Sequence, residues 1–325
     1  MEGSTVVVAL LVCALALAAL WWLLHAPYRG VGAAFYAPGT RRRFLLTGCA
    51  SGMGRHLTAV LLRQGHRVLA TDVNAGGMRA AADADGWEVL AAQHGGALLQ
   101  RALDVTARGQ WEEAMAAVDA AWGGLDVCFN IAGYLMPKSI QDASARDIDA
   151  HVDVMVKGPM HGTQLAAALM ARRGIRGHIV NVSSMAAVAP VAGVTLYAAA
   201  KCGCRGFSLA AAKDLAPLGI GVTCLMPDAV QTPMVEMQLH HDGGAYAFSG
   251  EILSLEDVAR CVVETVLPHR PTEQWLSPRR EVVGLCGLGG MFAGIIHSSR
   301  LVGFAERRML AAGKARQRAL LKKGA

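Results

Sequence analysis

The chain has 325 residues, 53% of them hydrophobic, and a formal net charge of +6. That length admits one large domain or two small ones with a sizeable core. The charge excess sits in the tail, where Arg307, Arg308, Lys314, Arg316, Arg318, Lys322 and Lys323 face only Glu306; with no nucleic-acid motif beside them they argue for anionic lipid and against sequence-specific DNA reading.

A mean hydropathy of +0.34 points to membrane contact. Residues 5–24 carry no charge, and a helix of that length spans ~30 Å, the thickness of a bilayer's hydrocarbon core. Trp21 and Trp22 fall at its end, where aromatic belts lie. No lysine or arginine precedes the run, which is longer than a signal-peptide core, so residues 1–24 are expected to be a retained transmembrane anchor. Arg29 and Arg41, Arg42 and Arg43 follow it, which puts the body on the cytoplasmic side. Residues 25–42 contain Pro and Gly and read as a linker.

From residue 43 short apolar runs alternate with longer, helix-spaced segments. Strands are predicted at 44–47, 67–72, 98–103, 125–131, 178–183 and 221–226, and helices at 53–64, 107–121, 144–173 and 195–215. This order implies a doubly wound α/β domain, over 43–280, with a parallel sheet covered by helices on both faces. Ligands of such folds bind at the carboxyl ends of the strands.

The stretch FLLTGCASGMGRHL reads as strand, turn and helix, with Gly48, Gly52 and Gly54 in the turn. Glycines let a backbone approach a pyrophosphate, which a helix N-terminus attracts. Asp72 ends the second strand. A carboxylate there accepts from adenosine ribose hydroxyls and repels a 2′-phosphate, so NAD(H) is expected over NADP(H); Arg55 and Arg79 are the residues able to soften that preference. Asp104 ends the third strand, and Asn130 to Gly133 follow the fourth, where adenine or ribose would pass.

Cysteines at 13, 49, 128, 202, 204, 224, 261 and 286 form no CxxC pair and read as reduced thiols. No His/Cys cluster has zinc spacing, so no metal is expected, and His240 and His241 read as a solvated loop.

TGCASGMG, Asp72, LDVT, NIAG, NVSS and YAAAK occur in that order between residue 43 and about 234. In this the sequence resembles the short-chain dehydrogenase/reductase family. The resemblance implies a Rossmann-type sheet and hydride transfer between a nicotinamide cofactor and a CH–OH group. It assigns Ser184, Tyr197 and Lys201 to catalysis. It assigns cofactor contacts to Gly48, Ser51, Gly52, Met53, Gly54, Asp72, Asp104, Val105, Asn130, Ala132, Gly133, Tyr197, Lys201 and Thr232. Tyr197 and Lys201 lie four apart, on one helix face. An ammonium ~5 Å from a phenol favours phenolate by roughly 3 kcal/mol at an effective dielectric of ~20. Tyr197 would then take the substrate's hydroxyl proton, Lys201 would also bind ribose, and Ser184 would hold the substrate oxygen. The family often pairs through two long helices, which implies a possible homodimer.

Three positions depart from the family pattern: Ile131 for an asparagine, Asp228 for a glycine after Pro227, and Met155 for the asparagine that bends a helix and frees a carbonyl for a water beside the lysine. Pro159, four residues on, lacks the N–H that would bond the Met155 carbonyl. The expectation is that Gly158-Pro159 frees that carbonyl by another route; the rival expectation is an impaired enzyme.

After Thr232, the family places its substrate lid. Met234, Met237, Leu239, Tyr246 and Phe248 are expected to line an apolar pocket there, and Ser254 to cap a helix over 255–266. Residues 281–325 are expected to hold an apolar, glycine-rich piece at 282–296 and a basic amphipathic helix on lipid headgroups. The layout is similar to membrane-bound retinol and steroid dehydrogenases, implying a lipophilic alcohol as substrate.

Overall fold

The computed structural model describes Tyr36 and residues 39–189, 192–278 and 300–323. The expected anchor at 1–24 and the apolar piece at 282–296 lie outside the described residues. Among the described residues, no helix is long and apolar enough to cross a membrane.

The strands are β1 (Arg43–Thr47), β2 (Arg67–Asp72), β3 (Ala97–Ala102), β4 (Val127–Asn130), β5 (His178–Val182), β6 (Gly221–Pro227) and β7 (Glu273–Leu276). They form one sheet in the order β3-β2-β1-β4-β5-β6-β7, and every neighbouring pair is parallel. The longer helices are α1 (Gly52–Arg63), α2 (Ala75–Asp85), α3 (Trp87–Gln93), α4 (Arg108–Trp122), α5 (Ala145–Val152), α6 (Gly158–Arg172), α7 (Thr195–Leu215), α8 (Pro233–Gln238), α9 (Leu255–Cys261) and α10 (Arg300–Lys323).

Strand alternation sends side chains to two cores. Phe44 and Leu46 of β1 pack with Leu57, Leu61 and Trp87 on one face. Leu45 packs with Trp111, Leu169 and Met170 on the other. Both tryptophans are fully buried, each worth roughly 1.5–3 kcal/mol for leaving water. The strands are apolar on both faces because helices cover both. The guanidinium of Arg43 grips the Asp126 carboxylate at 2.7 and 2.8 Å and so ties β1 to the start of β4. The strand order reverses between β1 and β4, which opens a crevice at their carboxyl ends.

Two expectations need correction. The helix predicted over 144–173 is interrupted by a π-turn at Asp153–Lys157, in which the Gly158 N–H bonds the Asp153 carbonyl. The cause is Pro159, whose missing N–H breaks the regular ladder. The helix predicted over 255–266 likewise passes into a π-turn at Val262–Val266, although Ser254 does cap it, in a reciprocal box with Asp257. Finally, α2, α3 and β7 had no prediction: their Ala- and Gly-rich or very short sequences carry little periodic signal.

Candidate active site

The glycine turn comes from the end of β1. Gly48 has φ +75°, a region open to glycine. A Cβ on Gly54 would collide with the Gly48 carbonyl oxygen, so only glycine lets α1 start so close to the strand. Ser51 precedes α1 with extended backbone and makes no side-chain cap bond, so its hydroxyl leaves the first-turn N–H groups of Gly52 and Met53 without a cap, which suits a pyrophosphate. Asp72 accepts from the Ala50 N–H at 2.9 Å and from the Asn74 N–H at 2.8 Å. Its carboxylate is therefore held beside the turn with lone pairs left over for ribose hydroxyls. Arg55 is committed to Asp85 at 2.6 and 2.8 Å, and Arg79 is exposed on α2.

The other predicted cofactor residues divide. Asp104 accepts from the Thr106 N–H and hydroxyl, at 2.9 and 2.7 Å. Val105 is buried, its carbonyl taking the Trp111 indole N–H at 3.0 Å. The Asn130 side chain turns inward, donating to Asn181 at 2.7 Å in a buried network that reaches Ser208. Thr47, which carried no prediction, accepts from the N–H groups of Ile131 and Ala132 at 2.9 and 3.0 Å and so shapes the loop after β4. Its signal in the sequence is only its place at a strand end. Thr232 donates to the Val230 carbonyl at 3.1 Å, and its methyl lies where a Cβ on Gly52 would nearly touch it. The turn after β1 and the loop before α8 thus meet across the crevice.

A cavity of about 220 Å³ opens beside this crevice. Ser184, Tyr197 and Lys201 line one wall, and Met53, Ile131, Gly133 and Thr232 join them from the cofactor side. Lys201 is 4% exposed. Its ammonium donates to the Val182 carbonyl at 2.8 Å and stands 5.5 Å from the Tyr197 ring centroid. Ser183 locks this arrangement by donating to the Lys201 carbonyl at 2.8 Å. The Ser184 hydroxyl accepts from the Ala186 N–H at 3.2 Å and donates to the Pro227 carbonyl over a long 3.5 Å, a weak bond that a substrate oxygen can replace.

The departures from the family pattern have visible settings. Ile131 lines the cavity. Asp228 bonds the Leu276 carbonyl through its N–H at 2.8 Å and accepts from Ser277 at 2.9 Å, tying β6 to the end of β7. Met155 is 1% exposed at the centre of the π-turn. Its side chain packs, while its carbonyl faces the position where Pro159 has no N–H to give.

On the opposite wall, Met234 and Tyr246 line the cavity as expected, joined by Val235, Gln238 and Met309. Met237, Leu239 and Phe248 do not line it. Residues 234, 235 and 238 share one face of α8 and turn the other two away, and Phe248 is buried in the body at 2% exposure.

A glycine turn leading into a helix N-terminus, a carboxylate at the end of β2, and a Ser-Tyr-Lys wall at the strand ends define an α/β dinucleotide-dependent oxidoreductase. The family model described as short chain dehydrogenase matches residues 42–242. The cyclopentanol dehydrogenase of Comamonas sp. (strain NCIMB 9872) is 34% identical over 210 residues, 64% of this chain and 81% of that protein. An NADP-dependent 3-hydroxy acid dehydrogenase of Salmonella typhi is 34% identical over 187 residues, 57% of this chain and 71% of that protein. Among solved structures, a short-chain type dehydrogenase/reductase from Mycobacterium ulcerans superposes with a TM-score of 0.65 at 25% identity, covering 72% of this chain and 87% of that one. The chain belongs to the short-chain dehydrogenase family and is an NAD(P)-dependent oxidoreductase acting on CH–OH groups.

Proposed function

We propose that the protein oxidises a hydroxyl on a lipophilic small molecule, such as a retinoid, a sterol or a long-chain alcohol, with NAD. The observation that carries this reading is the cavity itself. Its catalytic wall is polar at Ser184, Tyr197 and Lys201, and its facing wall is apolar at Met234, Val235 and Met309.

Ser184 donates to the substrate oxygen and orients the carbinol carbon. Tyr197 takes the hydroxyl proton, with the Lys201 ammonium 5.5 Å from its ring centroid. When bound, the nicotinamide supplies a hydride acceptor. Gly48, Gly54 and Asp72 would hold its pyrophosphate and ribose end, and Lys201 and Thr232 its nicotinamide end. Support for NAD over NADP comes from Asp72, whose negative charge repels a 2′-phosphate, and from Arg55, whose charge is taken up by Asp85. The reverse direction, reduction of a carbonyl with NADPH, uses the same residues, and the NADP dependence named for the Salmonella relative favours keeping it as the second reading.

The proposal includes a single-pass anchor at 1–24 with the catalytic domain facing the cytoplasm, which rests on the uncharged run and the arginines after it. It also includes a homodimer. Ile148, Val152 and Met160 on α5 and α6 are 43%, 40% and 37% exposed, which suits a second copy packing there.

The deciding experiment holds the full chain in detergent and screens lipophilic alcohols and ketones, following reduced-nicotinamide absorbance with each coenzyme. NAD-dependent oxidation of an apolar alcohol is the expected result. Turnover confined to polar hydroxy acids, or a clear NADP preference, would overturn this reading.

A further inference from the structure

The basic C-terminal helix packs on the lid. Gln317, 6% exposed, donates through Nε2 to the carbonyls of Gln238, Leu239 and His241 at 3.0, 2.9 and 3.0 Å. The Gln238 carbonyl also accepts from the His241 N–H and the His241 carbonyl from the Gly244 N–H, so Gln317 ties together the turn in which α8 ends. One turn earlier on α10, Gly313 lies against Ala245; any Cβ there would collide with the Ala245 carbonyl. Arg316 donates to the Gly250 carbonyl at 2.5 Å. Two turns before Gln317, ~12 Å along the axis, Met309 reaches the cavity while staying 38% exposed. Gln238 completes the chain of contacts: its side chain lines the cavity and donates to the Met234 carbonyl at 3.3 Å.

Resting on the reading of this cavity as the substrate pocket, we propose that α10 is its selecting wall. Met309 sets the size of alcohol admitted at the mouth. Gln317 is a positioning residue: it fixes the end of α8, and with it the apolar face formed by Met234 and Val235. The flexible thioether of Met309 fills the mouth without a fixed shape, so a bulkier or smaller residue there shifts the preferred substrate size and leaves the Ser-Tyr-Lys wall untouched.

Two measurements on the full chain test this. The first is kinetics with either coenzyme on a graded series of cycloalkanols, from cyclopentanol to cyclododecanol, for the native protein, Met309→Trp and Met309→Ala. Met309→Trp should raise KM for the largest rings at least about tenfold relative to that for cyclopentanol, and Met309→Ala should move the optimum to larger rings. The second is amide hydrogen exchange across residues 233–249. Gln317→Ala should exchange at least about tenfold faster there, and Gln317→Lys, which keeps a donor, should return toward the native rate. A ring-size optimum that ignores both Met309 variants in an active enzyme overturns the selecting role alone. Native exchange in Gln317→Ala overturns the clamp. A native protein inert to every ring with both coenzymes overturns the substrate-pocket reading and the role of Met309 with it, while the exchange result still decides the clamp.

Discussion

The Lys201 ammonium stands 5.5 Å from the centroid of the Tyr197 ring. It is held there by the Val182 carbonyl, and its own carbonyl is held by Ser183. A charge buried to this degree is useful only if its direction is fixed, and two strand-end groups of β5 fix it.

Replacing Tyr197 by Phe removes the proton acceptor and leaves the ring in place. Turnover should fall by about 10³-fold or more, within the range of general acid–base catalysis, while coenzyme binding by nicotinamide fluorescence stays near native. Ser184→Ala should cost less, about ten- to a hundredfold, and mostly in kcat.

Pro159 lies four residues after Met155, which stands where the family pattern has its helix-bending asparagine. Pro159→Ala supplies an N–H that can close the helix onto the Met155 carbonyl. We expect kcat to drop about tenfold with KM nearly unchanged. An unchanged turnover rate in this variant would show that the π-turn has no part in proton delivery.

Asp72 bonds the Ala50 and Asn74 N–H groups at the end of β2. Asp72→Ser should raise KM for NAD about tenfold and improve the ratio of NADP to NAD in kcat/KM, since the repulsion of a 2′-phosphate is gone. Steady-state kinetics with both coenzymes reads this directly.

Stability should depend on His66. Its imidazole is pushed down to about 4 by burial and by the positive charges of Arg42 and Arg41. It pairs with the Tyr36 hydroxyl at 2.7 Å and accepts from the Arg42 N–H at 3.3 Å. The folded value lies below the ordinary value of about 6.5, so the unfolded chain protonates first on acidification. Stability present above pH ~6.5 should therefore be lost as the pH falls to about 4, by on the order of 3 kcal/mol. Calorimetric Tm between pH 7 and 4 should fall more steeply in the native protein than in His66→Gln.

Thiol chemistry should be confined to the surface. Burial pushes Cys49, Cys128 and Cys224 up to about 12. A thiol reagent at pH 8 should label these three only on unfolding, which mass spectrometry of modified peptides will show.

Much of this protein is local information. Alternating apolar runs placed β1, β2, β5 and β6 to within a residue or so, because a strand covered on both faces must be apolar along its length. Tyr197 and Lys201 were legible because a helix converts a spacing of four into adjacency. The glycine turn and Asp72 were legible because strand ends and helix starts leave signatures in composition. The rest depended on contacts between residues far apart in the chain. No local pattern says that Asn130 turns inward to Asn181, that Thr47 shapes the loop after β4, or that Met237 and Phe248 leave the pocket while Val235 and Gln238 enter it. Least of all does it say that Gln317 clamps α8 some eighty residues upstream. Side-chain direction at such sites is set by the elements packed against them, and only the tertiary structure brings those elements together.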